Sequence, residues 1–114
     1  MTAEELKQYS GLCKSADAIS AYISVLSKSD TGCTGLLIEI LTKRMKDQID
    51  QIQQIEDWIQ SIPEEEIRNI AEYRILKGMS WSDICMKLYG YPDSFYCRNL
   101  FIRYVQKNES STGH

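Results

Sequence analysis

A long row of apolar residues runs through the middle of the chain with gaps of three or four positions. Its members are Ile38, Leu41, Met45, Ile49, Ile52, Ile55, Ile59 and Ile62. Residues three and four apart lie on one face of an α-helix, so this spacing predicts one long amphipathic helix over residues 36–61. A half-buried strand would alternate every two residues, and this segment does not.

A second row of apolar residues precedes the first and predicts another amphipathic helix, over residues 2–28. Thr2 and Glu5 have the spacing of a capping box, in which each side chain accepts a hydrogen bond from the other residue's backbone amide. The row continues with alternating steps of three and four through Tyr9, Leu12, Ala16, Ile19, Ile23 and Leu26. Residues 29–35 are polar with two glycines and predict a loop. Two long helices with a short connection predict an antiparallel, coiled-coil-like hairpin over residues 1–61.

The charge of the chain is distributed unevenly. The 114 residues include 13 Lys and Arg against 16 Asp and Glu, which gives a formal net charge of -3. Residues 1–61 hold six basic and nine acidic residues, whereas residues 62–114 hold seven of each. This balance excludes a large basic surface for nucleic acid. A nucleic-acid contact would be small and would need two copies of the chain for affinity, which favours a homodimer.

Three shorter helices are predicted in a second domain over residues 62–107. Pro63 and the three glutamates after it suit a helix start, because proline has no amide to leave unpaired and carboxylates suit the positive end of the helix dipole. Gly78 suits a helix stop, Ser80 a new cap, and Gly90 a second stop. The predicted helices cover residues 63–77, 80–89 and 93–107, and residues 108–114 are predicted to be a disordered tail. The predicted fold class is therefore all-α.

The last two helices are joined by a tight turn, which is the arrangement of a helix-turn-helix. The last helix keeps one face free, and the major groove of DNA admits one α-helix. Arg98 and Asn99 are predicted to contact base edges, because arginine pairs with guanine and asparagine with adenine. Arg103, Lys107 and Ser94 are predicted to contact phosphates. The predicted partner is double-stranded DNA.

Residues 74–90 have the sequence RILKGMSWSDICMKLYG. This stretch resembles the pattern R-Y-x-x-G-x-S/T-W-x-x-I-A-x-x-L-G of small phage and prophage proteins. Their helix-turn-helix is similar to region four of bacterial sigma factors. They include late-transcription regulators of the RinA and ArpU type and a related family from Firmicutes phages. The resemblance implies a helical arm before a DNA-binding unit, and a transcriptional regulator in the cytoplasm of a bacterial host. Cys85 stands where the family usually has alanine, and residues 92–97 depart from the usual opening of its recognition helix.

The sequence offers little for catalysis or metal binding. Cys13, Cys33, Cys85 and Cys97 form no closely spaced pair, and His114 is the only histidine, so we expect no metal site. There is no glycine-rich phosphate loop and no GxSxG motif, so we predict a protein that is not an enzyme and uses no cofactor. Free thiols on apolar helix faces are typical of a reducing cytoplasm. No apolar run is long enough for a membrane span.

A second function remains open at this point. Three-helix units also bind proteins, and Phe95 and Tyr96 beside Arg98 would suit a protein interface. The alternative is a phage-encoded interaction module that inhibits or redirects a host or defence protein, as an anti-CRISPR inhibitor does. RNA polymerase or another host protein would then be the partner, and the acidic surface of residues 1–61 would carry the contact.

Overall fold

A computed structural model of the chain describes residues 1–28 and 34–112. All regular secondary structure in this part of the chain is helical, which confirms the predicted all-α class. The helices are α1 (Ala3–Lys7), α2 (Tyr9–Ser27), α3 (Thr34–Gln60), α4 (Glu65–Ala71), a π-helix (Glu72–Leu76), α5 (Trp81–Tyr89) and α6 (Ser94–Thr112). None of the helices in the described residues is long and apolar enough to cross a membrane. The predicted loop lies mostly outside the described residues, and Thr34 and Gly35 belong to α3.

The first predicted helix begins as expected but is interrupted early. The Thr2 hydroxyl accepts a hydrogen bond from the Glu5 amide, and the Glu5 carboxylate accepts one from the Thr2 amide, both at 3.2 Å. The capping box is therefore confirmed. The prediction of a single helix over residues 2–28 is wrong, because α1 ends at Lys7 and α2 begins at Tyr9. At the interruption, the Gln8 amide bonds the Glu5 carbonyl three residues back at 3.2 Å, which is the tighter bond of a turn.

The chain divides into two compact units whose boundaries differ from the predicted division at residue 61. The main unit comprises Met1–Ser10 and Ile55–His114, and the arm unit comprises Gly11–Gln54. The first ten residues and the end of α3 therefore belong with the C-terminal helices.

The arm unit follows the predicted apolar rows with one change of register. Ile49, assigned from the sequence to the buried row, is 47% exposed, and Gln48 is half-buried in its place. With Gln48 in the row, the steps from Met45 onwards alternate regularly between three and four, which is the strict heptad spacing. The Gln48 side-chain amide donates a hydrogen bond to the Ser15 hydroxyl at 2.9 Å. A polar pair therefore takes a position that the sequence pattern gave to isoleucine.

The core of the main unit draws on the end of α3 and on α4, α5 and α6. α6 packs against α4 and α5, and the π-helix also contacts α5. The largest fully buried side chains are Ile59, Ile62, Ile70, Ile84, Cys85 and Cys97. Cys85 and Cys97 are free thiols, and they fill space like small apolar residues, as predicted.

The helix before the predicted helix-turn-helix starts later and ends differently than expected. α4 begins at Glu65, so Pro63 lies two residues before it. Its continuation is a π-helix, whose closing bond runs from the Lys77 amide to the Glu72 carbonyl, five residues back, at 3.2 Å. Gly78 follows with φ of 67°, the left-handed conformation that glycine adopts without strain. The predicted stop at Gly78 is confirmed.

Candidate nucleic-acid interface

The turn between α5 and α6 is fixed at both ends by backbone caps. The Ser80 hydroxyl accepts a hydrogen bond from the Asp83 amide at 3.2 Å and starts α5, as predicted. Gly90 ends α5 with φ of 81°. The Asp93 carboxylate accepts bonds from the Phe95 and Tyr96 amides at 3.1 and 3.4 Å, so it satisfies the first free amides of α6. These caps set the direction in which α6 leaves the turn.

One face of α6 is buried in the main unit. Cys97, Phe101 and Val105 are at most 8% exposed and recur every four residues. The helix starts at Ser94 and extends to Thr112, so the predicted end at Lys107 is wrong. The predicted tail therefore contributes residues 108–112 to the helix, while residues 113–114 lie outside the described part of the chain. Because the buried residues occupy one side, the opposite side of α6 is open to solvent.

The predicted DNA-contacting residues lie around this open side of α6. Arg98, Asn99, Arg103 and Lys107 are exposed, and Ser94 is half-buried at the first turn. At about 100° per residue, Asn99 and Arg103 lie about 40° apart and share the middle of the exposed face. Arg98 and Lys107 lie about 180° apart by the same geometry, one at each edge of that face. Arg98, Asn99, Arg103 and Lys107 therefore form a band across the helix rather than one narrow stripe. Ser94 precedes Cys97 by three residues and Phe101 by seven, so it lies on the buried side of the first turn.

An aromatic cluster surrounds the turn, and sequence reasoning had singled out only part of it. The ring of Tyr89 contacts the ring of Tyr96 edge to face at 5.1 Å between centroids, and the ring of Tyr91 at 6.3 Å. Phe95 is 68% exposed on the first turn of α6. Tyr89 also donates a hydrogen bond to the Glu66 carboxylate, which connects the end of α5 to the start of α4. Burial, and then this bond, raise the pKa of Tyr89 above its usual range. In the sequence, the Tyr-Gly-Tyr stretch at residues 89–91 is the signal from which this aromatic cluster could have been predicted.

Arg74 connects the π-helix to the start of α5. One of its terminal nitrogens donates to the Met79 carbonyl at 3.0 Å, and its guanidinium carbon lies 4.6 Å from the centre of the Trp81 ring. Trp81 is half-buried, and its ring contacts that of Phe101 on α6 at 5.8 Å between centroids. Arg74 therefore lies beside the contact between Trp81 of α5 and Phe101 of α6.

The structure offers no metal centre within the residues that it describes, since no three side chains of His, Cys, Asp or Glu lie together there. The buried Cys97 thiol is held neutral, because burial and a hydrogen bond with Cys85 raise its pKa to about 12. Cys33 and His114 lie outside the described residues. The side chains of α6 can therefore bind a partner through hydrogen bonds, charged groups and aromatic rings.

Comparison with protein-family models, with curated proteins and with solved structures finds no match to this chain.

Proposed function

We propose that the protein is a DNA-binding transcriptional regulator of the phage or prophage kind, in which α5 and α6 form a helix-turn-helix and α6 enters the major groove. The observation that carries the proposal is the two-sided character of α6. Its inner face is packed through Cys97, Phe101 and Val105, whereas Asn99 and Arg103 stand on its exposed face. A rigidly supported helix with an exposed polar face is what groove recognition requires.

The roles of the exposed residues follow from their chemistry and position. Asn99, near the middle of the exposed face, would pair with an adenine edge, and Arg98 with a guanine edge. Arg103 and Lys107 would neutralise phosphates, and Ser94 at the first turn would donate to one. Phe95 would meet a thymine methyl group, because it is the most exposed large apolar residue on the helix.

The arm unit supplies the second half of the proposal, a homodimer. α2 and α3 would pair there as an antiparallel hairpin, which the bond between Ser15 and Gln48 supports. Among the described residues of this unit, only Ala16 and Leu41 are buried. Its exposed large apolar residues are Tyr22, Val25, Leu36, Ile40 and Ile49. A second copy would cover apolar surface that two helices leave open, and it would double the number of phosphate contacts.

Sedimentation velocity tests the dimer. The parent chain is expected at twice its mass of 13.2 kDa. Ile49→Glu is expected to shift it to the monomer, because a charge would enter the covered surface next to the Gln48 position. Lys43→Glu is the control, since it adds a carboxylate on an exposed position of the same helix. A parent that sediments as a monomer at all concentrations contradicts the dimer.

Fluorescence anisotropy with a labelled pool of duplex DNA tests the regulator proposal. The parent is expected to bind at low salt and to lose affinity steeply as salt approaches the physiological range, because bound phosphates release their counterions. Retention of a preferred sequence at the higher salt would support specific recognition. Absence of binding at low salt would contradict the proposal.

A protein-binding function is the second candidate, favoured by the aromatic surface around the turn. Met86, Tyr91, Phe95 and Tyr96 are each more than 40% exposed, and such residues are enriched in protein interfaces. A host or defence protein, or RNA polymerase, would be the partner. Affinity capture from host lysate with the parent and with Phe95→Ala separates the candidates. A partner lost with Phe95→Ala but kept with Arg103→Ala favours the protein-binding function.

A further inference from the structure

The main unit contains a cavity of about 640 Å³ that the proposed DNA contacts do not use. One wall comes from the start of the chain, including Leu6 and Lys7. The opposite wall comes from the residues that carry the helix-turn-helix, including Arg74, Trp81 and Phe101. Arg98 also lines the cavity, because it lies at the edge of the exposed face of α6. The volume falls within the range of ordinary small-molecule sites.

The charge of the lining is opposite to that of the protein as a whole. Lys7, Arg74 and Arg98 line the cavity, and no aspartate or glutamate does. The whole chain carries a formal net charge of -3. The Lys7 ammonium forms an ion pair with the Glu4 carboxylate at 3.5 Å, and both side chains are exposed. Arg98 forms no ion pair within the described part of the chain. Because Glu4 compensates Lys7, Arg74 and Arg98 are the lining cations that no ion pair in the described residues compensates, and they make the cavity complementary to an anion.

The remaining surface of the cavity is largely apolar. Leu6 and Phe101 are at most 8% exposed and belong to the lining. The centre of the Trp81 ring lies 4.6 Å from the Arg74 guanidinium carbon and 5.8 Å from the centre of the Phe101 ring. Apolar walls with a few charged groups at the rim are the usual composition of a site for a small organic ligand.

We propose that this cavity binds a small organic anion, a carboxylate attached to an aromatic or branched aliphatic body. The carboxylate would lie among Arg98, Arg74 and Lys7, and guanidinium groups bind carboxylates through paired hydrogen bonds. The apolar body would lie against Trp81 and Phe101.

Occupation of the cavity has a regulatory consequence that rests on the proposed function. Arg98 serves both surfaces, since it lines the cavity and borders the face of α6 that would meet DNA. A bound carboxylate would neutralise Arg98 and hold it away from a base edge. The anion would therefore weaken DNA binding, and by linkage DNA would weaken binding of the anion by the same factor.

Titration of the full chain with naphthalene-1-acetate, in the absence of DNA, tests the site. The two tryptophans give separate indole signals in a ¹H–¹⁵N spectrum. Trp81 lines the cavity, whereas Trp58 does not and contacts Tyr104 elsewhere in the main unit. We expect the Trp81 signal to shift with a dissociation constant of about 1 mM, ordinary for a ligand of this size, while the Trp58 signal stays in place.

The neutral naphthalene-1-acetamide isolates the contribution of charge. It has the same apolar body, and we expect it to bind roughly tenfold more weakly, because it lacks the attraction to the cations. Arg98→Gln is expected to remove most of this preference. Arg44→Gln, the same substitution on an exposed position of the arm unit, is expected to preserve it.

Three results would overturn the proposal: no shift of Trp81, equal binding of acid and amide, or equal loss of preference in both variants. The proposed DNA function can fail separately. A chain that binds the acid at Trp81 but never binds DNA keeps the ligand site and loses only the regulatory consequence. A chain that binds DNA without competition from the acid loses that consequence too.

Discussion

Replacement of Gly78 or Gly90 with alanine tests the left-handed backbone conformation that follows the π-helix at Gly78 and ends α5 at Gly90. Both glycines have positive φ, 67° and 81°, and a Cβ added at either position meets no atom within 4 Å. The expected loss is therefore purely conformational. An L-residue in the left-handed region costs about 1–2 kcal/mol, so each variant should lower the free energy of unfolding by about that amount.

Gly11→Ala is the matched control for these two variants. Gly11 lies within α2, has no positive φ, and offers the same open space to an added Cβ. Alanine there should raise the free energy of unfolding by about 0.5–1 kcal/mol, because glycine in a helix interior loses more backbone entropy on folding. A glycine-to-alanine substitution should therefore raise the free energy of unfolding at Gly11 and lower it at Gly78 and Gly90. The difference between the two kinds of position should be roughly 1.5–3 kcal/mol.

Urea unfolding followed by far-ultraviolet circular dichroism measures these differences. Gly90→Asn adds a graded case, because asparagine tolerates the left-handed region better than alanine and should cost less. The reasoning is refuted if Gly78→Ala and Gly90→Ala unfold at the same denaturant concentration as the parent, or if Gly11→Ala is destabilised as much as they are.

Three further predictions concern buried groups. The pKa of the Cys97 thiol is raised from 9.0 to about 12 in the folded protein. Between these two pH values the thiol ionises only in the unfolded chain, so the free energy of unfolding falls as the pH rises. The loss between pH 8 and pH 10 should be roughly 1 kcal/mol, and Cys97→Ala should show a smaller decline than the parent in urea unfolding at the two pH values. A thiol reagent should modify half-buried Cys13 while fully buried Cys85 and Cys97 remain unmodified, which peptide mass spectrometry reports; rapid labelling of Cys97 would contradict its burial. Gln48→Leu should raise the free energy of unfolding by about 1 kcal/mol. The Gln48 Oε1 atom is buried without a partner among the described residues, and this costs more than the bond from the Gln48 amide nitrogen to Ser15 contributes. A loss of stability would contradict this prediction.

Features set by local chemistry could be predicted from the sequence. The capping box at Thr2, the cap at Ser80 and the stop at Gly78 each depend on residues a few positions apart, and all three are present. The all-α class follows in the same way, because the spacing of apolar residues is a local property of helices.

Features set by packing between distant segments could not be predicted. The widened turn of the π-helix gives no signal in its residues, since the same sequence suits an α-helix. The exchange of Ile49 for Gln48 in the buried row depends on Ser15, which is 33 residues away in sequence from Gln48.

The candidate site also has one part that could be predicted from the sequence and one part that could not. The open side of α6 could be predicted from the helical period, and Arg98, Asn99, Arg103 and Lys107 are all exposed there. The cavity beside Arg98 could not, because its walls come from both ends of the chain and Leu6 gives no sequence signal of lying there.

We propose the exposed face of α6 as the surface that contacts DNA. It is tested most directly by affinity measurements on a duplex site selected with the parent protein, using Arg98→Ala, Asn99→Ala and Arg103→Ala, with Arg44→Ala as the control outside this face. The account predicts a loss of about 1–3 kcal/mol for Arg98→Ala, a relaxed preference for adenine with Asn99→Ala, and a salt dependence reduced by about one phosphate contact with Arg103→Ala. Arg44→Ala should bind like the parent. If all three α6 variants bind the site with the affinity, sequence preference and salt dependence of the parent, the claim is contradicted.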